Sequence, residues 1–446
     1  MSTTRSPTLR YLAGSTEATH ASWLELFFDL VFVAAVSELA RLLHADLTLH
    51  GLVVFCALFV PVWWVWMSFA YYADLFETDA THFRIALLAG MFGSLVLAST
   101  IGVAIAPAGG TLDGAHGFAL ANAVLQAILV GLYGYARHAT SARAASSARA
   151  TSAGAASARE ARATPDAARH PHSHPGAAQN AALRQLCGIY VVGFGCGGVL
   201  WLASIAVPAP WHLFLWALAL LVEIATPFMA YLTVASPPAH ASHLPERLGL
   251  FTLIVLGESV VAVAWGARGA SSTTGALPVA FFAFVIAACL WWVYFEHVDH
   301  RVIINALTSG RSSLVRGFAY GYGHLLIFAG LAATAVGSEA LIEHAGESHM
   351  PANAGLALTG GAAVFLLATT GAHLAIRRPL ARRLVAARVA TALGALLLGL
   401  TSAGFSPLAE TAALAGLLAL LTWAEVRHRR NGPDPVATPT SPDATL

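Results

Sequence analysis

The 446-residue chain contains no lysine, and only 11% of its residues are charged. Soluble globular proteins carry about 25%, so the polar shell that a water-facing domain of this length needs is missing. All 24 basic residues are arginine, and against 23 acids they leave a formal charge of +1. So even a balance offers no basic surface for a nucleic-acid partner. The four cysteines, Cys56, Cys187, Cys196 and Cys289, lie in apolar stretches without the paired spacing of a metal site or a disulfide framework. A GxSxG elbow, a P-loop and an HExxH pair are also absent. No cofactor and no resident metal are expected, and enzymatic chemistry is not the leading reading.

What fills the chain instead is apolar: 57% of residues are hydrophobic and the mean hydropathy is +0.68. A bilayer-crossing helix takes about 20 predominantly apolar residues. Twelve stretches qualify, at 22–43, 51–72, 84–105, 117–137, 184–206, 211–234, 247–266, 277–297, 316–337, 353–376, 385–403 and 408–426. The expected fold is an all-α polytopic membrane protein of about 12 transmembrane helices, in the lipid bilayer of the cell inner (plasma) membrane. Arginine placement orients it, because positive charge collects in cytoplasmic loops. With both termini cytoplasmic, every arginine except Arg41 and Arg268 falls on the inner side. The first apolar run contains acids and no small-residue cleavage site follows it, so it reads as a retained span and not as a signal peptide.

Residues 139–181 break the pattern. Alanine, serine, arginine, histidine and proline dominate there, a composition that cannot bury enough surface to offset chain entropy. A disordered cytoplasmic linker is expected, and a disordered tail at 432–446. His170, His172 and His174 alternate within the linker and read as polar filler. On either side of about residue 240 the chain echoes itself. WWVWMSF from Trp63 recurs as WWVYFEH from Trp291, with Asp29 34 residues before the first and Glu258 33 before the second. Arg84 opens the third helix of one half and Arg316 that of the other, while Glu223 and Glu425 occupy the two sixth helices. Residues 1–240 and 241–431 therefore read as two tandem parallel six-helix repeats, related by an axis along the membrane normal.

Function is sought in the ionisable side chains that a bilayer makes expensive, roughly 2.5–3.5 kcal/mol each at a helix centre on insertion scales. Glu25, Asp29 and Glu38 lie within the first apolar run, Trp23–Leu43. Glu25 and Asp29 are one helical turn apart on the same face. Two carboxylates so placed cannot both stay ionised cheaply, so one is protonated or a cation lies between them. Arg84 is their expected partner. Glu258 lies about 18 Å into its span at 1.5 Å per residue, between Gly257 and Ser259, with His324 expected beside it; an acid and a histidine together suit a proton relay. Glu223 sits mid-span, ahead of Thr226 and Pro227, where a missing N–H frees a carbonyl. Glu296, His297, Asp299 and His300 read as a solvated helix end, and His373 as a lone, satisfied core histidine. Trp63, Trp64, Trp66, Trp291 and Trp292 read as anchors at the inner membrane interface.

Four stretches carry a resemblance to a known family: ELFFDLVFVAAVSEL from Glu25, WWVWMSF from Trp63, HFRIALLAG from His82 and ERLGLFTLIVLGESVV from Glu246. Through them the chain resembles the bacterial low temperature requirement protein A (LtrA) family over most of its length. The resemblance implies a multi-pass inner-membrane protein, a link to growth in the cold and so to stress response, and no assigned molecular activity. It marks Glu25, Asp29, Arg84, Glu246, Arg247 and Glu258 as motif positions, and sets the insertion at 139–181 apart from the family pattern. The leading expectation is a transporter or channel for a proton, cation or small solute. Glu25, Asp29, Arg84, Glu223, Glu258 and His324 are its candidate binding residues. The alternatives are an intramembrane enzyme acting on a lipid or isoprenoid, and a non-catalytic scaffold whose acids lock helices together.

Overall fold

The computed structural model describes residues 23–76, 80–105, 114–161, 175–234, 244–270, 273–296, 303, 313–347, 352–376 and 381–430. Among these residues twelve long α-helices follow one another: α1 (Trp23–Ala45), α2 (Leu49–Leu75), α3 (Thr81–Thr100), α4 (Gly114–Ala161), α5 (Pro175–Ser204), α6 (Trp211–Thr233), α7 (Leu244–Gly269), α8 (Thr273–Phe295), α9 (Ser313–Glu343), α10 (Ala352–Ala375), α11 (Arg382–Leu400) and α12 (Pro407–Arg430). Each overlaps one of the twelve apolar stretches. Eleven are long and apolar enough to cross a membrane. The exception is α1, whose Glu25, Asp29, Glu38 and Arg41 interrupt an otherwise apolar helix. The protein is a multi-pass helical membrane protein.

Large apolar side chains such as Phe92, Val192, Leu221, Phe281 and Leu420 point outward, which costs little where the solvent is itself hydrocarbon. The reverse holds for α2. Thr48 caps it by accepting the Gly51 N–H at 3.4 Å, and every residue from Pro61 to Phe76 is buried. A helix that is apolar all round is one surrounded by other helices. This corrects the anchoring read for Trp63, Trp64 and Trp66, which are interior; the first two stand edge-on to Tyr322 of α9. Trp291 and Trp292 on α8 do remain exposed.

In the first half α1 packs on α2 and α3, α3 on α4, α4 on α5, and α5 on α6. In the second half α7 packs on α8 and α9, α9 on α10, α10 on α11, and α11 on α12. The halves meet where α1 and α2 lie against α7 and α9. The joint between α9 and α10 brings backbones together: a Cβ on Gly330 would stand 2.7 Å from the Gly361 carbonyl oxygen. In lipid, close backbone approach of this kind supplies the packing that holds helices together.

The interval expected to be an irregular linker carries helix at both ends, since α4 continues to Ala161 and α5 begins at Pro175. Alanine and arginine are strong helix formers, and that preference persists where no apolar face is available. Residues 162–174, with His170, His172 and His174, lie outside the described residues. So do the tail at 432–446 and His297, Asp299 and His300.

Candidate functional site

Buried charge gathers where the N-terminal ends of α1 and α7 meet the C-terminal end of α2. Arg247 Nη2 donates to Asp29 Oδ1 at 2.9 Å, and Trp66 Nε1 donates to the same oxygen at 2.7 Å. Asp29 and Arg247 are each only 1% exposed. Glu25 and Asp74 are also buried and act electrostatically on Arg247, so one guanidinium serves three carboxylates. Phe28 and Trp66 flank it, each with its ring centroid 5.9 Å away, which adds cation–π attraction in a water-poor site. Arg84, the expected partner of Asp29, stands instead on an exposed face of α3. Sequence reasoning reached Arg247 only as a motif position. The sequence held no signal that separates it from Arg84, because each arginine opens an apolar span.

Beyond Asp29 the seam between the helices is filled by rings. Phe251 of α7 lies 4.4 Å from Trp66, 4.8 Å from Phe328 of α9 and 6.4 Å from Phe32 of α1, centroid to centroid. All four rings are excluded from solvent. Past them polarity returns. Ser37, about 12 Å from Asp29 along α1 at 1.5 Å per residue, donates to Glu258 Oε1 at 2.5 Å.

His324, expected beside Glu258, is engaged elsewhere. Its Nδ1 lies 2.7 Å from the Tyr320 carbonyl oxygen and its Nε2 2.9 Å from the Tyr294 hydroxyl. Nε2 thus ties α9 to α8 while Nδ1 is engaged within α9, and the acid–histidine relay is not formed. The neighbours of Glu258 are instead at the C-terminal ends of α1 and α9. Glu339 interacts electrostatically with Glu258, Glu343 and His44, and His44 Nε2 lies 3.2 Å from Glu343 Oε2. The seam formed by α1, α7 and α9 thus carries ionisable groups from Glu25 at one end to Glu343 at the other, with one aromatic layer between.

Two further buried acids, Glu223 and Glu425, lie off this seam. Glu223 is enclosed within the first half, accepting Gln126 Nε2 at 2.7 Å and Trp201 Nε1 at 3.0 Å; Gly197 leaves the room it occupies. In the second half Arg388 grips Glu425 through Nε at 2.6 Å and Nη2 at 3.2 Å. His373 stands 3.1 Å from Arg388 Nη1, so it is a member of a buried triad and not a lone histidine. A cavity of about 340 Å³ opens beside His116, Ser204, His212 and Trp216, and none of these acids lines it.

The family described as bacterial low temperature requirement A protein (LtrA) matches residues 20–160 and 168–422. An uncharacterized protein of Rhizobium meliloti (strain 1021) is 27% identical over 365 residues, covering 80% of this chain and 77% of that relative. No solved structure matches. The family match takes in the whole seam, from Glu25 to Glu343, and the chain belongs to the bacterial low temperature requirement A (LtrA) family.

Proposed function

We propose that the protein is a transporter or channel that carries a proton or small cation along the seam of α1, α7 and α9. The observation behind this is the division of the seam into two polar layers by one ring layer. Asp29, Glu25 and Arg247 lie on one side of Phe32, Phe251 and Phe328, and Glu258 with Glu339 and His44 on the other. Ionisable groups in series, separated by a short apolar constriction, suit stepwise passage with a gate. Asp29 and Glu258 are assigned as binding stations and Glu25 and Arg247 as the groups that tune the first. Glu223 and His324, both satisfied by fixed partners, serve packing in this reading.

The arginine distribution supports an orientation with the Arg247 end and both termini cytoplasmic, and a bacterial family suits the inner membrane. The chain-order packing shared by α1–α6 and α7–α12 supports two tandem repeats with the seam at their interface, although the second half also packs α8 on α12 where the first half has no comparable α2–α6 packing among the described residues. The family's name, low temperature requirement A, fits a role for such a flux in growth in the cold. Proteoliposomes with a trapped pH-sensitive dye, given an imposed gradient of protons, sodium or potassium, test the reading. Wild type is expected to dissipate one of these gradients, Glu258→Gln at least tenfold more slowly, and Glu223→Gln at the wild-type rate. Unchanged flux in both Glu258→Gln and Asp29→Asn removes the stations. No flux in wild type leaves the scaffold reading.

A further inference from the structure

At the end of the seam remote from Arg247, Glu339 and Glu343 stand one turn apart on the same face of α9, opposite His44 in the last turn of α1. One ligand atom from each residue can be chosen so that all three lie within 4.8 Å of one another. Donors held about 2.1 Å from a single ion lie about 3.0–4.2 Å apart, so a rotamer adjustment of these part-buried side chains closes the set. We propose that His44, Glu339 and Glu343 bind a divalent transition-metal ion at this mouth of the seam.

Two further observations point to a cation. His44 Nε2 faces Glu343 Oε2 at 3.2 Å, and among the described residues no hydrogen bond on its shielded Nδ1 holds the ring away from the carboxylates. Glu258, 6% exposed, adds a third carboxylate acting on Glu339, and among the described residues its one hydrogen bond is that from Ser37. The arginines on the same helix ends are engaged elsewhere: Arg41 pairs with Glu38, and Arg268 lies over the Trp265 ring at 5.1 Å. Three carboxylates and an imidazole thus converge with no guanidinium among them. An imidazole with two carboxylates selects ions of the zinc, manganese and cobalt class, whereas calcium and magnesium prefer oxygen ligands throughout. The site stands whether or not the seam conducts.

The test uses the full chain, purified without a polyhistidine tag and with His170, His172 and His174 replaced by alanine, so that those histidines cannot supply the signal. Equilibrium dialysis against zinc or manganese, read by elemental analysis, is expected to give one ion per chain. His44→Ala, Glu339→Gln and Glu343→Gln should each weaken binding at least tenfold, with millimolar magnesium failing to compete. His44→Cys gives a readout that a folding defect would not produce: with cobalt, a thiolate charge-transfer band appears in the near ultraviolet. Unchanged affinity in the three single variants, or no such band in a folded His44→Cys protein that binds cobalt, overturns the site. Metal binding without flux sinks the permeation reading and leaves this site standing. Flux without metal binding does the opposite.

Discussion

Removing either partner of the Asp29–Arg247 pair is predicted to destabilise the protein, and the two removals are predicted to be unequal. At the 2.9 Å separation of Nη2 and Oδ1, the Coulomb attraction is about 6 kcal/mol at an effective dielectric of 20. Desolvation of two groups each 1% exposed offsets most of that, so the pair contributes little net relative to an apolar substitute. Breaking it is a different matter, because one charge is left behind. Arg247→Met leaves Asp29 buried beside Glu25 and Asp74 and should cost about 3–5 kcal/mol. Asp29→Asn keeps an acceptor for Trp66 and leaves Arg247 the other two carboxylates, so its cost should be nearer 2 kcal/mol. The double variant should lose less than the two single losses added together. Thermal unfolding in detergent, followed by fluorescence-detected size exclusion, measures all three. Losses below about 1 kcal/mol in both single variants would refute the reasoning, because they would mean that water or another charge reaches the site.

Gly330→Val places a side chain against the Gly361 carbonyl and the Phe365 N–H, backbone atoms that cannot rotate away, and should cost about 1–3 kcal/mol by forcing α9 from α10. Gly371→Ala on the same α10, with nothing within 4 Å of its new Cβ, should be neutral or gain up to about 1 kcal/mol in the same assay. In the turn between α1 and α2, the Thr48 hydroxyl, His50 and the Thr48 N–H hold the Asp46 carboxyl below the usual carboxylate range. Its contribution is present above the unfolded carboxylate value and is lost as pH falls through the lower folded value. Hydrogen exchange at the Thr48 and Gly51 amides should therefore lose protection as pH falls into that range in wild type, and stay flat with pH in Asp46→Asn once the intrinsic rate is corrected.

Element existence is legible in this chain because a bilayer imposes a simple rule, a run of about 20 apolar residues per helix, and all twelve runs became helices. The candidate site was legible at Glu25, Asp29 and Glu258, since a carboxylate within such a run is conspicuous. The identity of the partners was not. Arg84 and Arg247 both open apolar spans, and only packing decides which guanidinium reaches Asp29. His324 and Glu258 hold similar positions within their own spans, but α9 is offset along α7: Phe328, one turn after His324, meets Phe251, two turns before Glu258, and Glu339, four turns after His324, is the residue that acts on Glu258. Trp66 was misread for a related reason. Aromatic rings near helix ends usually anchor at the headgroups, and nothing in WWVWMSF says that α2 is enclosed on all sides. The repeat itself could mislead, because the corresponding WWVYFEH keeps its two tryptophans at the surface.

The buried acids can be ranked for transport by what would happen to their partners if they changed protonation. Glu425 is held by two guanidinium bonds, and a guanidinium can only donate, so protonating this acid strands a buried cation. Glu223 faces an indole N–H, which can only donate, and the Gln126 amide, which donates as placed and would have to flip to offer its oxygen to a protonated acid; it also lies off the seam. Asp29 has the same constraint in stronger form, since both an indole and a guanidinium aim at one oxygen. Glu258 differs in kind. Its partner is the Ser37 hydroxyl, which donates to a carboxylate and, after rotation about one bond, accepts from a carboxylic acid. Both protonation states are then satisfied without moving a helix. Its neighbour Glu339 lies toward the part-buried mouth at His44 and Glu343, where exchange with water is open. Of the two acids assigned as stations on the seam, Asp29 can take only a cation that leaves it ionised, whereas Glu258 is satisfied in both protonation states, and Glu258→Gln is therefore the substitution whose effect on proton flux carries most weight.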